Sequence, residues 1–367
     1  MLMPAIQAQI RRFRFNLPQG IAALMLGLFL LHGLWWMNHS ARFNAEAMMA
    51  DCGRALWSHP FTGPEQLPAC GVLFESPLVD RMAALPLGPR WPFLAVGLLL
   101  GGALWWVTRR QFGNLGGYTA LAFYCTSPLM LRASIRPSME ILAALAVYGG
   151  VFTLTGVAHA MQGPRRKWKP RLLLLAAILA LAACTSIAAL VLTLALGVVL
   201  MLWIIEGKRS TMFLLIGIAL ALSLPGVLVG SNFAPAALVA QGWPGIGLSY
   251  EAALDLALAI ENTGLVLAVL AALALYLSSR RTRYFGHTAP LVCAAVLLAL
   301  ELNGAAGFYG TPACWAQPFL MSFLGGVFAD GYEGRRGFLW KTAAIVLVLT
   351  QAAACVFGLV YGGAHIL

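Results

Sequence analysis

Residues 165–209 read RRKWKPRLLLLAAILALAACTSIAALVLTLALGVVLMLWIIEGKR, an apolar stretch with a basic cluster at each end. As a single helix, its apolar part would be about 51 Å long at 1.5 Å per residue. The hydrocarbon core of a bilayer is only about 30 Å thick. Basic clusters mark the cytoplasmic side of a membrane, so both ends of the stretch belong on that side. The stretch therefore predicts a hairpin of two membrane helices that turns near residues 184–186.

The same alternation of basic clusters and apolar runs extends along the whole chain. Eighteen of the 24 Lys and Arg residues lie in six clusters, at residues 11–14, 109–110, 165–171, 208–209, 280–283 and 335–341. Placing every cluster in the cytoplasm predicts eleven membrane helices, with the N-terminus in the cytoplasm and the C-terminus on the outer side. The predicted spans are 17–37, 91–108, 114–131, 138–160, 172–184, 187–205, 211–229, 260–278, 286–303, 312–329 and 342–362.

Composition supports an integral membrane protein. Hydrophobic residues make up 60% of the chain and charged residues 10%, and the mean hydropathy is +0.82. The apolar runs are long and show no alternation of polarity, which predicts an all-α bundle of transmembrane helices and not a barrel. The net charge of +11 comes from the cytoplasmic clusters, so it indicates contact with membrane lipids and no nucleic-acid partner. We expect a bacterial inner-membrane protein.

A long first loop, at about residues 38–90, lies on the predicted outer side and contains five acidic residues. Its pattern predicts two amphipathic helices, at 45–57 and 77–85, with a break at residues 61–64. Cys52 and Cys70 both lie in this loop, and the sequence leaves open whether they form a disulfide. We divide the chain into a transmembrane module at 1–230, which includes this loop, and C-terminal transmembrane helices at 231–367.

The acidic residues of the first loop are candidates for chemistry. Asp51 lies early in the first amphipathic helix, where a carboxylate at the membrane surface can act as a general base on an acceptor hydroxyl. The alternative is a solvated helix face. Glu75 and Asp80 are further candidates for substrate binding, although a local ion pair of Asp80 with Arg81 at the surface is the simpler interpretation.

Two arginines beyond the first loop also fall on the predicted outer side. Arg132 and Arg136 oppose the orientation rule, so a specific reason for them is expected. Two guanidinium groups at this spacing suit a phosphate, which arginine binds in a bidentate manner. Pairing with Glu140 or with a carboxylate of the first loop explains them equally well. Glu140, at the start of the fourth span, is a second candidate acid.

Four stretches, taken in order, resemble those of a known family. They are Ala50-Asp51 with Arg54-Ala55-Leu56, Glu75-Ser76-Pro77-Leu78, Arg109-Arg110-Gln111-Phe112-Gly113, and Ser127-Pro128 with Arg136-Pro137-Ser138-Met139-Glu140. The chain thus resembles the polytopic GT-C glycosyltransferases, in particular the branch of protein O-mannosyltransferases and lipid A aminoarabinose transferases. The resemblance covers about residues 17–230.

The resemblance implies transfer of a sugar from a polyprenyl-phosphate donor to an acceptor on the outer face. It makes Asp51 the catalytic or acceptor-positioning carboxylate and Glu140 the acid of the second outer loop. Arg132 or Arg136 would contact the donor phosphate. Apart from this lipid-linked sugar substrate, the sequence gives no firm cofactor, and we assign no metal site.

Two departures from the family pattern keep a second interpretation open. Cys52 follows Asp51 where many relatives carry a glutamate, and Glu140 replaces the more usual aspartate. A non-catalytic GT-C-like subunit of a larger membrane complex, with protein partners at its loops, therefore remains the alternative.

Overall fold

The computed structural model describes residues 16–40, 44–71, 76–162, 168–205, 207, 209–235, 245–248, 254, 257–278, 284–303, 309–310, 313–334 and 336–362. Thirteen α-helices dominate these residues. They are α1 (Leu17–His39), α2 (Asn44–Ser58), α3 (Pro77–Ala83), α4 (Trp91–Cys125), α5 (Pro128–Ile135), α6 (Met139–Gln162), α7 (Lys169–Thr185), α8 (Ile187–Ile204), α9 (Arg209–Gly230), α10 (Thr263–Ser278), α11 (Phe285–Ala299), α12 (Ala313–Tyr332) and α13 (Gly337–Gly362).

The predicted helical membrane fold is confirmed. Seven helical segments of the described chain are long and apolar enough to cross a membrane: α1, α4, α6, α8, α9, α10 with the turn before it, and α13. Each of the eleven predicted spans overlaps one of the apolar helices. The number of actual membrane crossings stays a prediction.

The hairpin predicted from residues 165–209 is present. Helix α7 ends at Thr185, and α8 begins at Ile187. Between them, the side chain of Ser186 accepts a hydrogen bond of 3.2 Å from the main-chain N–H of Ala188. A serine in this position satisfies a helix N–H group that has no partner within its own helix. The two helices can therefore reverse direction within one residue.

The basic pair Arg109-Arg110 marks a bend within α4, as the span prediction requires. Gly113 has a φ of 77°, which is accessible to glycine at no steric penalty, and it kinks one long helix into two legs. The guanidinium groups of Arg109 and Arg110 lie 5.0 Å from the rings of Trp105 and Trp106, respectively. These cation–π contacts place the two charges beside an aromatic pair near the bend.

Two of the predicted spans end early. The span 114–131 is cut at Cys125, because Ser127 caps a new helix, α5, by accepting a 3.3 Å hydrogen bond from the main-chain N–H of Met130. The span 286–303 ends as a helix at Ala299 and continues as a strand over Leu300–Asn303. That strand reads Leu-Glu-Leu-Asn, and its period-two alternation suits a strand better than a helix.

A small antiparallel sheet forms at this point. Strand β1 (Gly245–Leu248) pairs with β2 (Leu300–Asn303), and β2 pairs with β3 (Tyr309–Gly310). In the register, Gly245 lies opposite Asn303 and Leu248 lies opposite Leu300. The sheet thus joins segments before α10 and after α11. These three short strands are a local addition to the predicted all-α bundle.

Helix α12 forms the centre of the bundle. Its side chains from Cys314 to Val327 are buried, and it packs against α4, α6, α11 and α10. Ser322 on α12 shares a hydrogen bond of 2.8 Å with the hydroxyl of Tyr148 and one of 3.3 Å with that of Thr108. One hydrophobic core therefore includes helices from both predicted parts of the chain. The division at residue 230 coincides with the end of α9 and stays a prediction.

Candidate functional site

Helix α2 of the first loop carries Asp51 on its exposed face. The opposite face, which is buried, includes Met49, Cys52, Gly53 and Leu56. This amphipathic division agrees with the helix predicted at 45–57. Asp51 forms an ion pair with Arg54, one turn further along, and both side chains are largely exposed. The carboxylate of Asp51 is therefore accessible. Its ion pair with Arg54 lies at the surface, where such pairs contribute little to stability.

The buried face of α2 is fixed to the rest of the loop. Cys52 and Cys70 form a disulfide, which settles the question that the sequence left open. Gly53 lies directly against the main-chain carbonyl of Asp80 at the centre of α3, and a Cβ at this position would also lie 2.7 Å from the Cβ of Ala84. A glycine is thus required for α2 and α3 to pack this closely.

Arg90 clamps the N-terminal end of α2. Its guanidinium group donates hydrogen bonds of 2.8–3.0 Å to both carboxylate oxygens of Glu46. It also donates 3.1 Å to the carbonyl of Met37 and 2.6 Å to the hydroxyl of Ser40. Both side chains of the ion pair are more than nine-tenths buried. A single residue before α4 therefore connects α2 to the end of α1.

Arg81 clamps the C-terminal end of α2. It donates hydrogen bonds of 2.7 Å to the carbonyl of Val229 on α9 and 3.1 Å to that of Leu56 on α2, and it also donates to the side-chain oxygen of Asn232. Its guanidinium group lies 5.0 Å from the ring of Trp57. The interaction with Val229 satisfies a carbonyl at the C-terminal end of a helix, where a cation is favourable.

Asp80 lies beneath these contacts and is only 1% exposed. Its Oδ2 atom is 3.7 Å from the sulfur of Cys52. That sulfur is in a disulfide and has no proton to donate, so the contact is not a hydrogen bond. The Oδ1 atom contacts no donor within the described part of the chain. The predicted surface pair with Arg81 is wrong, because Asp80 is buried and Arg81 points to α9. Substrate contact by Asp80 stays a prediction.

This burial makes the stability of the protein depend on pH. Burial raises the pKa of Asp80 to about 7, whereas an unfolded chain keeps an aspartate near 3.9. Between these values the folded protein retains a proton that the unfolded chain has released, so stability falls as the pH rises. We expect Asp80→Asn to be more stable than the wild type, with an advantage that grows by about 3 kcal/mol between pH 5 and pH 8.

Thermal unfolding of the purified protein in detergent, recorded at both pH values, measures this difference. Asp51→Asn, the same substitution on the exposed face of α2, is the matched control. A stability advantage of Asp80→Asn that does not change with pH would show that Asp80 does not titrate in this range.

On the predicted outer side of the bundle, Arg132 on α5 pairs with Glu261. Two parallel hydrogen bonds of 2.7 Å join its Nη1 and Nη2 groups to the two carboxylate oxygens. The partner is thus neither Glu140 nor a carboxylate of the first loop. Gln351 on α13 donates to the carbonyl of Glu261 at 2.9 Å and accepts from the main-chain N–H of Leu265 at 2.7 Å.

Arg136 and Glu140 form a second group on the predicted outer side. Arg136 follows the last residue of α5, Glu140 lies in the first turn of α6, and both side chains are exposed. They lie close enough for their charges to interact. An exposed guanidinium beside an exposed carboxylate can bind an anion and orient a hydroxyl group. Glu75 lies outside the described residues.

The structure thus brings together two pairs of charges, Arg132 with Glu261 and Arg136 with Glu140, while Asp51 contacts Arg54 on its own helix. Sequence reasoning did not single out Glu261 or Gln351. The available signal for Glu261 was its position at the outer end of a predicted span, where an acid is unusual. Gln351 lies inside an otherwise apolar run, where a polar side chain indicates a partner.

These features describe a polytopic helical membrane fold, with a loop helix fixed to the bundle and charged groups at the helix ends on the predicted outer side. Its fold is similar to that of ArnT from Cupriavidus metallidurans in the apo state, with a TM-score of 0.64, 14% identity, and coverage of 94% of this chain and 76% of that chain. The same protein bound to undecaprenyl phosphate gives a TM-score of 0.57 and 13% identity, with coverage of 94% and 75%. The predicted GT-C-like fold is confirmed.

No protein-family model matches the chain, and no curated protein sequence matches it. The likeness therefore concerns the fold, and it extends over nearly the whole chain. The four sequence stretches that suggested this fold fall within α2, around the start of α3, at the bend of α4, and from Ser127 to the start of α6.

Proposed function

We propose that this chain is a membrane glycosyltransferase that moves a sugar from a polyprenyl-phosphate donor to an acceptor on the extracytoplasmic face. One observation carries the proposal: the fold is similar over 94% of the chain to that of ArnT, which has been solved with undecaprenyl phosphate bound. The exposed charges at the outer helix ends give this fold the groups that such a donor needs. We place the protein in a bacterial inner membrane, with its N-terminus in the cytoplasm and its C-terminus in the periplasm.

The chemistry follows from the chemical groups of the donor. A hydroxyl oxygen of the acceptor attacks the anomeric carbon of the sugar, and the bond between that carbon and the phosphate oxygen breaks. The polyprenyl phosphate leaves with the electron pair, and the hydroxyl proton passes to a carboxylate, for which Asp51 is the candidate. Arg136 binds the phosphate as its charge increases, and Glu140 orients the sugar or the acceptor.

The positions of these side chains support this assignment. Asp51, Arg136 and Glu140 are exposed in the structure and are thus accessible to a substrate. Helix α2, which carries Asp51, is fixed at both ends by Arg90 and Arg81, as a catalytic base requires if its geometry is to be maintained. The apolar surfaces of the membrane helices suit contact with the polyprenyl chain within the bilayer.

The alternative, a non-catalytic subunit with protein partners at its outer loop, is favoured by a different observation. Asp51 pairs with Arg54, Arg132 pairs with Glu261, and Asp80 is buried. Several of the charges that the sequence analysis named as candidate site residues thus have partners within the chain or are inaccessible to a ligand.

Binding of the donor lipid separates the two proposals. We expect native mass spectrometry of the detergent-purified protein to show one undecaprenyl phosphate per chain, at concentrations where phosphatidic acid binds much less. Arg136→Ala removes a charge-assisted contact and should weaken this binding about tenfold. Arg209→Ala, which removes an exposed cation at the opposite end of the bundle, is the matched control and should bind as the wild type does.

Equal binding of undecaprenyl phosphate and phosphatidic acid would contradict a specific donor site, as would equal loss in Arg136→Ala and Arg209→Ala. Either result, accompanied by stoichiometric protein partners in the gently solubilised sample, would support the subunit alternative.

A further inference from the structure

Arg132 is held by a carboxylate that comes from a distant part of the chain. Glu261 lies in the short turn before α10, and its two oxygens accept one hydrogen bond each, at 2.7 Å, from the two terminal nitrogens of Arg132. The side chains are 26% and 19% exposed. The pair therefore has the bidentate geometry of a strong ion pair, and it is still accessible from the outer side.

The two parallel hydrogen bonds of this pair have the same arrangement as those by which a guanidinium group binds a phosphate. Carboxylate and phosphate both present two oxygens to the parallel N–H groups of arginine, and each can replace the other without leaving the guanidinium unpaired. An arginine that lost its partner in a partly buried site would otherwise retain an uncompensated charge. A displacing ligand must therefore be an anion of the same shape.

We propose that Glu261 is the resident anion of a phosphate subsite, and that the phosphate of a polyprenyl-phosphate lipid displaces it from Arg132. This proposal rests on the proposed function and extends it. Arg132 and Arg136 then bind the same phosphate, and Glu261 keeps Arg132 in a defined orientation before the lipid arrives. The carboxylate released from Arg132 remains at the outer surface, where water solvates it.

Gln351 is the positioning residue of this subsite. Its side-chain nitrogen donates to the carbonyls of Glu261, at 2.9 Å, and Thr126, at 3.3 Å, while its oxygen accepts from the N–H of Leu265. Because Gln351 is fully buried on α13, it fixes the main chain of the turn to the end of α4. The side chain of Glu261 can therefore leave Arg132 while its main chain stays in place.

The exchange predicts that removing the resident anion strengthens lipid binding. We expect Glu261→Gln to bind undecaprenyl phosphate about tenfold more tightly than the wild type, because Arg132 no longer has to be released from a charged partner. Arg132→Gln should bind undecaprenyl phosphate more weakly than the wild type. Glu333→Gln, which removes an exposed carboxylate at the opposite end of the bundle, should bind it with unchanged affinity. Native mass spectrometry with undecaprenyl phosphate, phosphatidic acid and inorganic phosphate as separate ligands measures all of these.

The double variant Arg132→Gln/Glu261→Gln decides between exchange and general electrostatics. If Glu261 acts by occupying Arg132, the gain from Glu261→Gln disappears when Arg132 is absent. If Glu261 only repels the phosphate through space, the gain persists in the double variant and the proposal is overturned. Unchanged or weaker binding by Glu261→Gln overturns it as well.

Two further results keep the outcomes distinct. Wild-type protein that binds undecaprenyl phosphate no better than phosphatidic acid contradicts the proposed function itself, whereas normal wild-type binding without a gain in Glu261→Gln contradicts only the subsite. Equal gains for inorganic phosphate and the polyprenyl lipid would show that the subsite binds phosphate without a lipid, which overturns the assignment to the donor. If Glu261→Gln does not fold, Glu261→Asp keeps the charge but is too short for both hydrogen bonds, and should show a smaller gain.

Discussion

Replacing Arg90 by alanine is expected to lower the free energy of unfolding by about 3–5 kcal/mol, as is typical when one partner of a buried ion pair is removed. The substitution leaves the carboxylate of Glu46 buried without its partner. It also removes the donors that satisfy the carbonyl of Met37 and the hydroxyl of Ser40. Thermal unfolding in detergent should show a lower midpoint, and hydrogen exchange should increase in the peptides that join α1 to α2.

Arg54→Ala is the matched control, because it removes an arginine from an exposed ion pair on α2, the one with Asp51. That change should have little effect on stability. The double variant Arg90→Leu/Glu46→Leu removes both charges together and should recover much of the loss, since apolar residues often replace a buried ion pair without penalty. If Arg90→Ala is no less stable than Arg54→Ala, the buried pair does not hold α2.

The order of the apolar helices along this chain could be predicted because it depends on local patterns. A basic cluster beside an apolar run indicates the end of a helix and predicts the side of the membrane on which it lies. For the hairpin, every residue that the prediction needs lies within the stretch 165–209. The same applies to α2, whose apolar face is evident from residues three and four positions apart. Such features require no knowledge of the rest of the fold.

The pairing of charges could not be predicted in this way. The sequence places Arg132 on the outer side, but its partner, Glu261, lies 129 residues further along. Likewise Arg81 binds Asn232, 151 residues away. The sequence suggested Glu140 or a carboxylate of the first loop for the first arginine, and the adjacent Asp80 for the second. Only the packing of the helices brings the actual partners together.

The early ends of two spans have a similar cause. Apolar content alone extends the third span to residue 131 and the ninth to residue 303. Ser127-Pro128 is a helix-start signal that competes with this apolar content, and the alternation in Leu300–Asn303 is a strand signal. Both signals are visible in the sequence. Whether the new helix or the strand forms, however, depends on the elements that pack beside it, and those are not evident from the local sequence.

The clamps on α2 explain how an exposed carboxylate can keep a defined position. Asp51 itself has only a surface interaction with Arg54, so its position must come from the helix. Arg90 fixes the beginning of that helix, the disulfide from Cys52 fixes the middle, and Arg81 fixes the end. The exposed face of α2 then remains open to solvent, while the buried face makes the contacts that hold the helix in place.

Replacing Arg81 by alanine is expected to lower the free energy of unfolding by about 3 kcal/mol, because the carbonyls of Val229 and Leu56 lose a charged donor in a buried place. The substitution also removes the cation–π contact with Trp57. Since Arg81 connects α2 to α9, hydrogen exchange should increase at two distant places together, in residues 54–62 and in residues 227–233. Arg90→Ala should instead affect the beginning of α2.

Two variants test the contribution of the guanidinium group itself. Arg81→Lys retains the charge, but a single ammonium group cannot reach Val229, Leu56 and Asn232 at once, so we expect it to restore only part of the stability. Asn232→Ala removes one of these acceptors, and also the side-chain donor to the carbonyl of His59, and should produce the same pattern of exchange with a smaller amplitude. Increased exchange confined to residues 54–62 would contradict the connection to α9, because a loop that loosens alone does not depend on that helix. Full stability in Arg81→Lys would show that charge, and not the planar arrangement of donors, holds the clamp.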